Sequence, residues 1–445
     1  MTHTARAGHA SIVQGMAWVF LFLVLGRLAG AAREIAIAAR YGTGPIVDAY
    51  LFVFSVVTWP VAVWFSILTV VLIPAVARLN RERVGALPLQ GGLLSASLVL
   101  GGGLTIVAGL ALWIVLATPG RLLPEPGSSL ARDMIVYLAP LLLVGCLSSL
   151  YSAWLMAIGR HANTLIEAIP PLAVLVAVLA ATQPGPELLL WATVIGFVLQ
   201  LAVLCGYLGH LKNLAWPRLP APSPHWRTLW WSIGVVAIGQ VLSTSAGIID
   251  QIMAAPLGTG AIATLGYANR ILGVVTGAIA IVVSRATLPV FSATHADRSP
   301  SFYRLGRWWT GVLFAGGFAG AVVAYLLTPW GVAALFERGA FTANDTLAVA
   351  HVFSYGLPQL PFYCAGLVLV SLLAAAGNYW VIAGIGGLNL VVKIAANWLL
   401  IPVFGIAGIT LATGVMYAVS MAIMMIILVR PMWRETSRRP AKSGV

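Results

Sequence analysis

Two arginines six residues apart in an otherwise apolar run are the strongest chemical signal in this sequence. They are Arg27 and Arg33 of G-R-L-A-G-A-A-R-E-I-A-I-A-A-R-Y-G-T-G-P-I-V-D-A-Y, residues 26–50. A charge at membrane depth costs at least about 2.5 kcal/mol, and such charges persist where they face a watery cavity and handle something in it. On a helix, six residues set the two side chains about 120° apart and about 9 Å along the axis, so both can line one broad cavity without touching. The run G-Y-A-N-R, 266–270, places a third arginine, Arg270, inside a later apolar segment. Guanidinium forks bind phosphate oxygens in a bidentate manner that lysine cannot reproduce, so this set fits a diphosphate headgroup better than a neutral solute. Glu34 is a candidate partner for one arginine. Asp48, at the start of the next apolar segment, can pair with an arginine in an empty site or gate its outer mouth. The competing reading of all four charges is a set of ion pairs holding helices together.

A second constellation lies in L-N-L-V-V-K-I-A-A-N-W, 388–398. Asn389, Lys393 and Asn397 recur at i, i+4 and i+8, on one helix face, and Asp250 is a candidate partner for the lysine. A buried Lys–Asp pair is open to three readings: a fixed strut, a proton-linked switch, or a substitute for a bound cation. Arg285, near the inner end of its segment, is expected to snorkel to the headgroups. The seven histidines show no metal-ligand spacing, and Cys146, Cys205 and Cys364 lie far apart in apolar segments as small core residues. Neither a metal nor a cofactor is inferred.

The elements that position these residues follow from composition. Sixty per cent of the residues are apolar, 8% are charged, and the mean hydropathy is +0.97. A soluble domain carries about a quarter charged residues. Apolar stretches of about 20 residues recur, matching the thickness of a bilayer core, and the alternation of a β-barrel is absent. The fold class is therefore an all-α polytopic membrane protein. Twelve spans are expected, at 11–39, 46–77, 91–117, 130–157, 162–182, 188–209, 229–254, 261–291, 308–328, 345–375, 379–402 and 404–430. The first is not a signal peptide, since its apolar region runs straight into Arg27 and Arg33 and eleven spans follow. With the N-terminus inside, sixteen of the 25 basic residues fall in cytoplasmic segments, four fall outside, and five lie within spans. That bias puts both termini in the cytoplasm. The net charge of +13 thus reflects topology and contact with anionic lipids, and nucleic acid is excluded as a partner.

The longest polar break, 211–226, divides six spans from six. A-R-Y-G-T-G-P-I, 39–46, corresponds to A-P-L-G-T-G-A-I, 255–262, at an offset of 216, and V-L-I-P-A-V-A, 71–77, to A-T-L-P-V-F-S, 286–292, at 215. Six-span repeats keep their orientation, which predicts two parallel lobes around a central cavity and alternating access by rocking. The expected organisation is a lobe at 1–212, a cytoplasmic linker at 213–227, a second lobe at 228–430 and a basic cytoplasmic tail at 431–445. Pro60, Pro140, Pro170, Pro171, Pro358 and Pro361 lie within or near spans and are expected to kink them.

The run 26–50, together with L-G-Y-A-N-R-I-L-G-V-V-T-G-A-I-A-I-V-V-S-R-A-T-L-P (265–289) and L-F-E-R-G-A-F-T-A-N-D-T (335–346), resembles the MurJ (MviN) branch of the MOP flippase superfamily. A weaker block, L-L-I-P-V-F-G-I-A-G-I-T-L-A-T (399–413), adds to the likeness. These families move lipid-linked sugar precursors across bacterial inner membranes. The resemblance implies substrate-binding roles for Arg27, Arg33, Asp48 and Arg270, and an undecaprenyl-diphosphate-linked cargo, lipid II in the best-known branch. It also implies an inner-membrane location, with envelope-biosynthesis enzymes as candidate partners of a single working copy. Members with a sodium site take ligands from spans seven and eleven, matching Asp250 and Asn389. At the next matching position this chain has Lys393, whose ammonium would compete with a bound cation. Two further departures are the lack of a basic pair in T-W-P-V-A-V-W, 58–64, and twelve spans where many members have fourteen. These open a second reading, an O-antigen or exopolysaccharide repeat-unit flippase; a small-molecule antiporter of the same superfamily would need fewer cavity arginines. A polyprenyl-dependent glycosyltransferase or polymerase would need clustered carboxylates or histidines on long loops, which the sequence does not offer.

Overall fold

The computed structural model describes residues 25–82, 85–118, 122–160, 162–182, 185–219, 224–296 and 301–436. Fifteen α-helices occupy them, and no strand occurs among the described residues. They are α1 (25–41), α2 (Pro45–Arg81), α3 (Leu87–Ala117), α4 (Gly127–Leu138), α5 (Leu141–Ala157), α6 (Asn163–Ile166), α7 (Ile169–Ala180) and α8 (Pro186–His210). There follow α9 (Pro224–Ala254), α10 (Ala261–Ala296), α11 (Ser301–Phe336), α12 (Ala343–Gly356), α13 (Gln359–Ala375), α14 (Tyr379–Phe404) and α15 (Ile406–Thr436). Nine stretches are individually long and apolar enough to cross a membrane, and two bent pairs, α4–α5 and α12–α13, bring the number among the described residues to eleven. These coincide with the last eleven expected spans. The span at 11–39 lies outside the described residues up to residue 24, as do the topology charges Arg6, Arg83, Arg121, Arg298, Arg438, Arg439 and Lys442. The chain is an all-α, multi-pass membrane protein.

Both bends have a covalent cause. The 48° break between α4 and α5 falls at Pro140, and the 41° break between α12 and α13 falls just before Pro358. A proline there removes one backbone donor and crowds the preceding turn. Pro60 leaves α2 assigned as one continuous helix.

The described residues pack as two compact units. The first runs up to Thr244 and takes in Gly258–Ala263 and Arg338–Thr342; the second comprises Ser245–Leu257, Thr264–Glu337 and the chain from Ala343. The division falls within α9 because its first turns belong to the first core: Leu229 and Ile233 are buried there with Trp64, Leu68, Leu150 and Trp154. The indole of Trp64 donates to Ser97 Oγ at 3.2 Å, which satisfies the one polar atom that this core side chain carries inward. In the second unit Phe291, Phe302, Val368, Leu372 and Met424 form the core. Outward faces are apolar: on α3, Val99 is 77% exposed and Ile106 70%. Such faces suit acyl chains, where apolar exposure carries no penalty and every amide is satisfied within its own helix.

Candidate functional site

Arg27 and Arg33 stand on α1 in different surroundings. Arg27 is exposed, whereas Arg33 is buried at 8% exposure beside Glu34 at 5%. The Arg33 guanidinium donates to the Glu34 carboxylate and lies 5.5 Å from the ring centre of Phe54 on α2. Phe54 stacks on Tyr50 at 5.6 Å, and Tyr50 OH is bonded to Thr193 Oγ1 at 2.9 Å. The buried charge is therefore neutralised by a carboxylate and faced by a ring quadrupole, the combination that makes burial of a guanidinium tolerable. Arg270 is exposed on α10, within the second unit, as is Arg285 about four turns further on.

Asp48, in the first turn of α2, is only 2% exposed. Its two carboxylate oxygens accept the backbone amides of Gly260 and Ala263, the latter at 2.8 Å. These amides open α10, whose first turn has donors without intrahelical partners and a positive dipole end. Gly260 supplies no side chain to cap them, so a carboxylate from another helix does. Gly260 itself has φ +85°, and a Cβ there would lie 2.7 Å from the Thr43 carbonyl oxygen. The two Gly-Thr-Gly turns of the repeat are thus pressed together within one unit. The same knot includes the third motif block, since Ala340 N donates to Ala39 O at 2.7 Å. Arg40 Nη2 and Tyr41 OH fasten the turn further, donating to Ala181 O at 2.7 Å and Gly185 O at 3.1 Å. Sequence reasoning singled out Asp48 but not the amides that receive it, because a backbone N–H has no residue signature.

In the second unit Lys393 is 1% exposed and Asp250 8%. Lys393 Nζ lies 3.1 Å from Asp250 Oδ1 and donates to Ile409 O at 2.7 Å and Thr413 Oγ1 at 2.6 Å. Asn397 Nδ2 donates to the same Asp250 oxygen at 3.1 Å. Asp250, Lys393 and Asn397 therefore meet, whereas Asn389 is engaged by the Ser420 hydroxyl of α15. Ile409 and Thr413 were not singled out in the sequence. The one available signal was a threonine about two turns into an otherwise apolar helix.

A family model described as lipid II flippase MurJ matches residues 37–438. The lipid II flippase MurJ of Burkholderia cenocepacia is 25% identical over 428 residues, covering 88% of this chain and 79% of the relative. Among solved structures, a lipid II flippase MurJ in an inward closed conformation is similar with a TM-score of 0.75 at 16% identity, covering 93% of this chain and 87% of that one. An inward-facing multidrug resistance MATE family transporter of the MOP superfamily also has a TM-score of 0.75 at 16% identity, covering 93% and 96%. At these identities the structures establish the fold alone.

Proposed function

The chain belongs to the lipid II flippase MurJ family, and we propose that it translocates a polyprenyl-diphosphate-linked saccharide, the chemical class of lipid II, across a bacterial inner membrane. One observation carries the cargo class: guanidiniums retained at Arg27, Arg33 and Arg270 on helices otherwise built for lipid. Such forks suit diphosphate oxygens. In this reading Arg27 and Arg270, both exposed, contact the diphosphate directly. Arg33, paired with Glu34 and packed against Phe54, fixes the position of α1. Asp48 acts as a latch on the first turn of α10 that is released and remade in each cycle. The lobes at 1–212 and 228–430 rock about the linker 213–227 while the polyprenyl tail stays in lipid, with both termini in the cytoplasm. Anionic lipids contact the basic inner face, including the tail 431–445. One copy of the chain is the working unit, with envelope-biosynthesis enzymes as its partners.

A second reading keeps the diphosphate and changes the sugar to an O-antigen or exopolysaccharide repeat unit. It is favoured by the segment 58–64 of α2, which carries no arginine. Complementation separates the two. In a strain depleted of its lipid II flippase, the chain restores growth, while Arg27→Ala and Arg270→Ala abolish rescue at unchanged membrane abundance. Full rescue by both variants would sink the diphosphate role. Failure of the parent chain to rescue growth, with restored export of a surface polysaccharide in a matching export mutant, selects the second reading.

A further inference from the structure

The family resemblance implies a sodium ion held from spans seven and eleven, and the residues present do not fit one. The position where the oxygens of that region converge is taken by an ammonium group. Lys393 Nζ has three donors, and all three are matched: Asp250 Oδ1 at 3.1 Å, Ile409 O at 2.7 Å and Thr413 Oγ1 at 2.6 Å. The three acceptors come from α9 and α15 and the ammonium from α14, so the cage is assembled by tertiary packing around the lysine tip. Charge leads to the same conclusion as space. Asp250 and Lys393 cancel one another, and a further cation would leave a net positive charge buried among apolar helices.

We propose that Lys393 is a tethered cation: its ammonium permanently fills an oxygen cage for a monovalent alkali cation, which this chain binds only when the lysine is removed. Asn397 adjoins that cage and braces its carboxylate. Its Nδ2 is bonded to Asp250, while its Oδ1 is buried and has no hydrogen-bond partner among the described residues. Shortening Lys393 would leave a carboxylate, a carbonyl and a hydroxyl oxygen facing the space that its ammonium vacates. All three are hard oxygen donors, the ligand type that s-block cations prefer. The proposal concerns cation binding and stands apart from the identity of the cargo.

The experiment needs no cargo. Melting temperatures of the purified full chain, Lys393→Ala and Lys393→Asp are compared in sodium chloride and in N-methylglucamine chloride at equal ionic strength. The parent chain is expected to melt at the same temperature in both salts. Both variants are expected to melt lower in N-methylglucamine and to recover saturably as sodium is added, as mass action on the folded state requires. A sodium-specific rise in the parent chain overturns the proposal. So do folded, monodisperse variants that melt identically in the two salts, and so does aggregation of both variants in both salts, because sodium should restore the missing charge.

Discussion

Asp48 is buried yet carries no cationic partner in its described bonds; its charge is spent on two amides at the start of α10. Helix N-termini stabilise carboxylates through their dipole and their unsatisfied donors. Asp48→Ala leaves both amides without this acceptor, at a cost of about 1–3 kcal/mol each, and should lower the melting temperature and abolish complementation. Asp48→Asn keeps one carbonyl acceptor and should lose less on both measures. Gly260→Ala tests the same contact from the other side. Its φ of +85° and the 2.7 Å approach to Thr43 O leave no place for a methyl group, so a loss of about 1–2 kcal/mol from the left-handed backbone alone is expected, read as a fall in melting temperature. At this scale the sequence showed that Arg33 and Asp48 are costly residues. It did not show how each cost is met, because Glu34 and Asp48 both stood open as partners of an arginine and the amides that bind Asp48 lie 212 and 215 residues away.

Helix identity was legible from hydropathy; helix length was not. The expected span 308–328 is part of α11, which continues from Ser301 to Phe336, because Arg304 and Arg307 favour an aqueous location without opposing helix formation. Proline positions indicated where spans bend at Pro140 and Pro358, but Pro60 shows that a proline alone does not decide it. The junction of α14 and α15 illustrates what packing adds. A Cβ on Gly408 would lie 2.6 Å from Leu400 O, so the absence of a side chain sets how closely α15 returns against α14. That return delivers the Ile409 carbonyl to Lys393 Nζ. Gly408→Val should force the helices apart at a cost of about 1–3 kcal/mol, the usual range for overpacking. Its effect on the melting temperature should be less than additive with Lys393→Ala, since both variants disturb one cage.

For the whole molecule, the bias of basic residues toward one set of loops predicts cytoplasmic termini. A green fluorescent protein joined after Val445 should therefore fluoresce, and alkaline phosphatase joined at the same point should be inactive; the opposite pair of results would overturn the orientation. The bilayer class, the order of the spans and the repeat of the Gly-Thr-Gly turns could all be read from the sequence. Hydropathy and charge accumulate along the chain residue by residue, and a bilayer reads them in that order. Tertiary structure alone decided which charges are sequestered and by what. The Arg33 guanidinium meets Phe54 on a neighbouring helix, and Asp48 caps a helix that its repeat partner begins. Asn397 Nδ2 donates to Asp250 Oδ1 across 147 residues of chain, and Lys393 closes a cage whose oxygens come from two other helices. Each depends on helices packed side by side, and a hydrogen bond formed over a few ångströms leaves no periodic trace in a one-dimensional sequence.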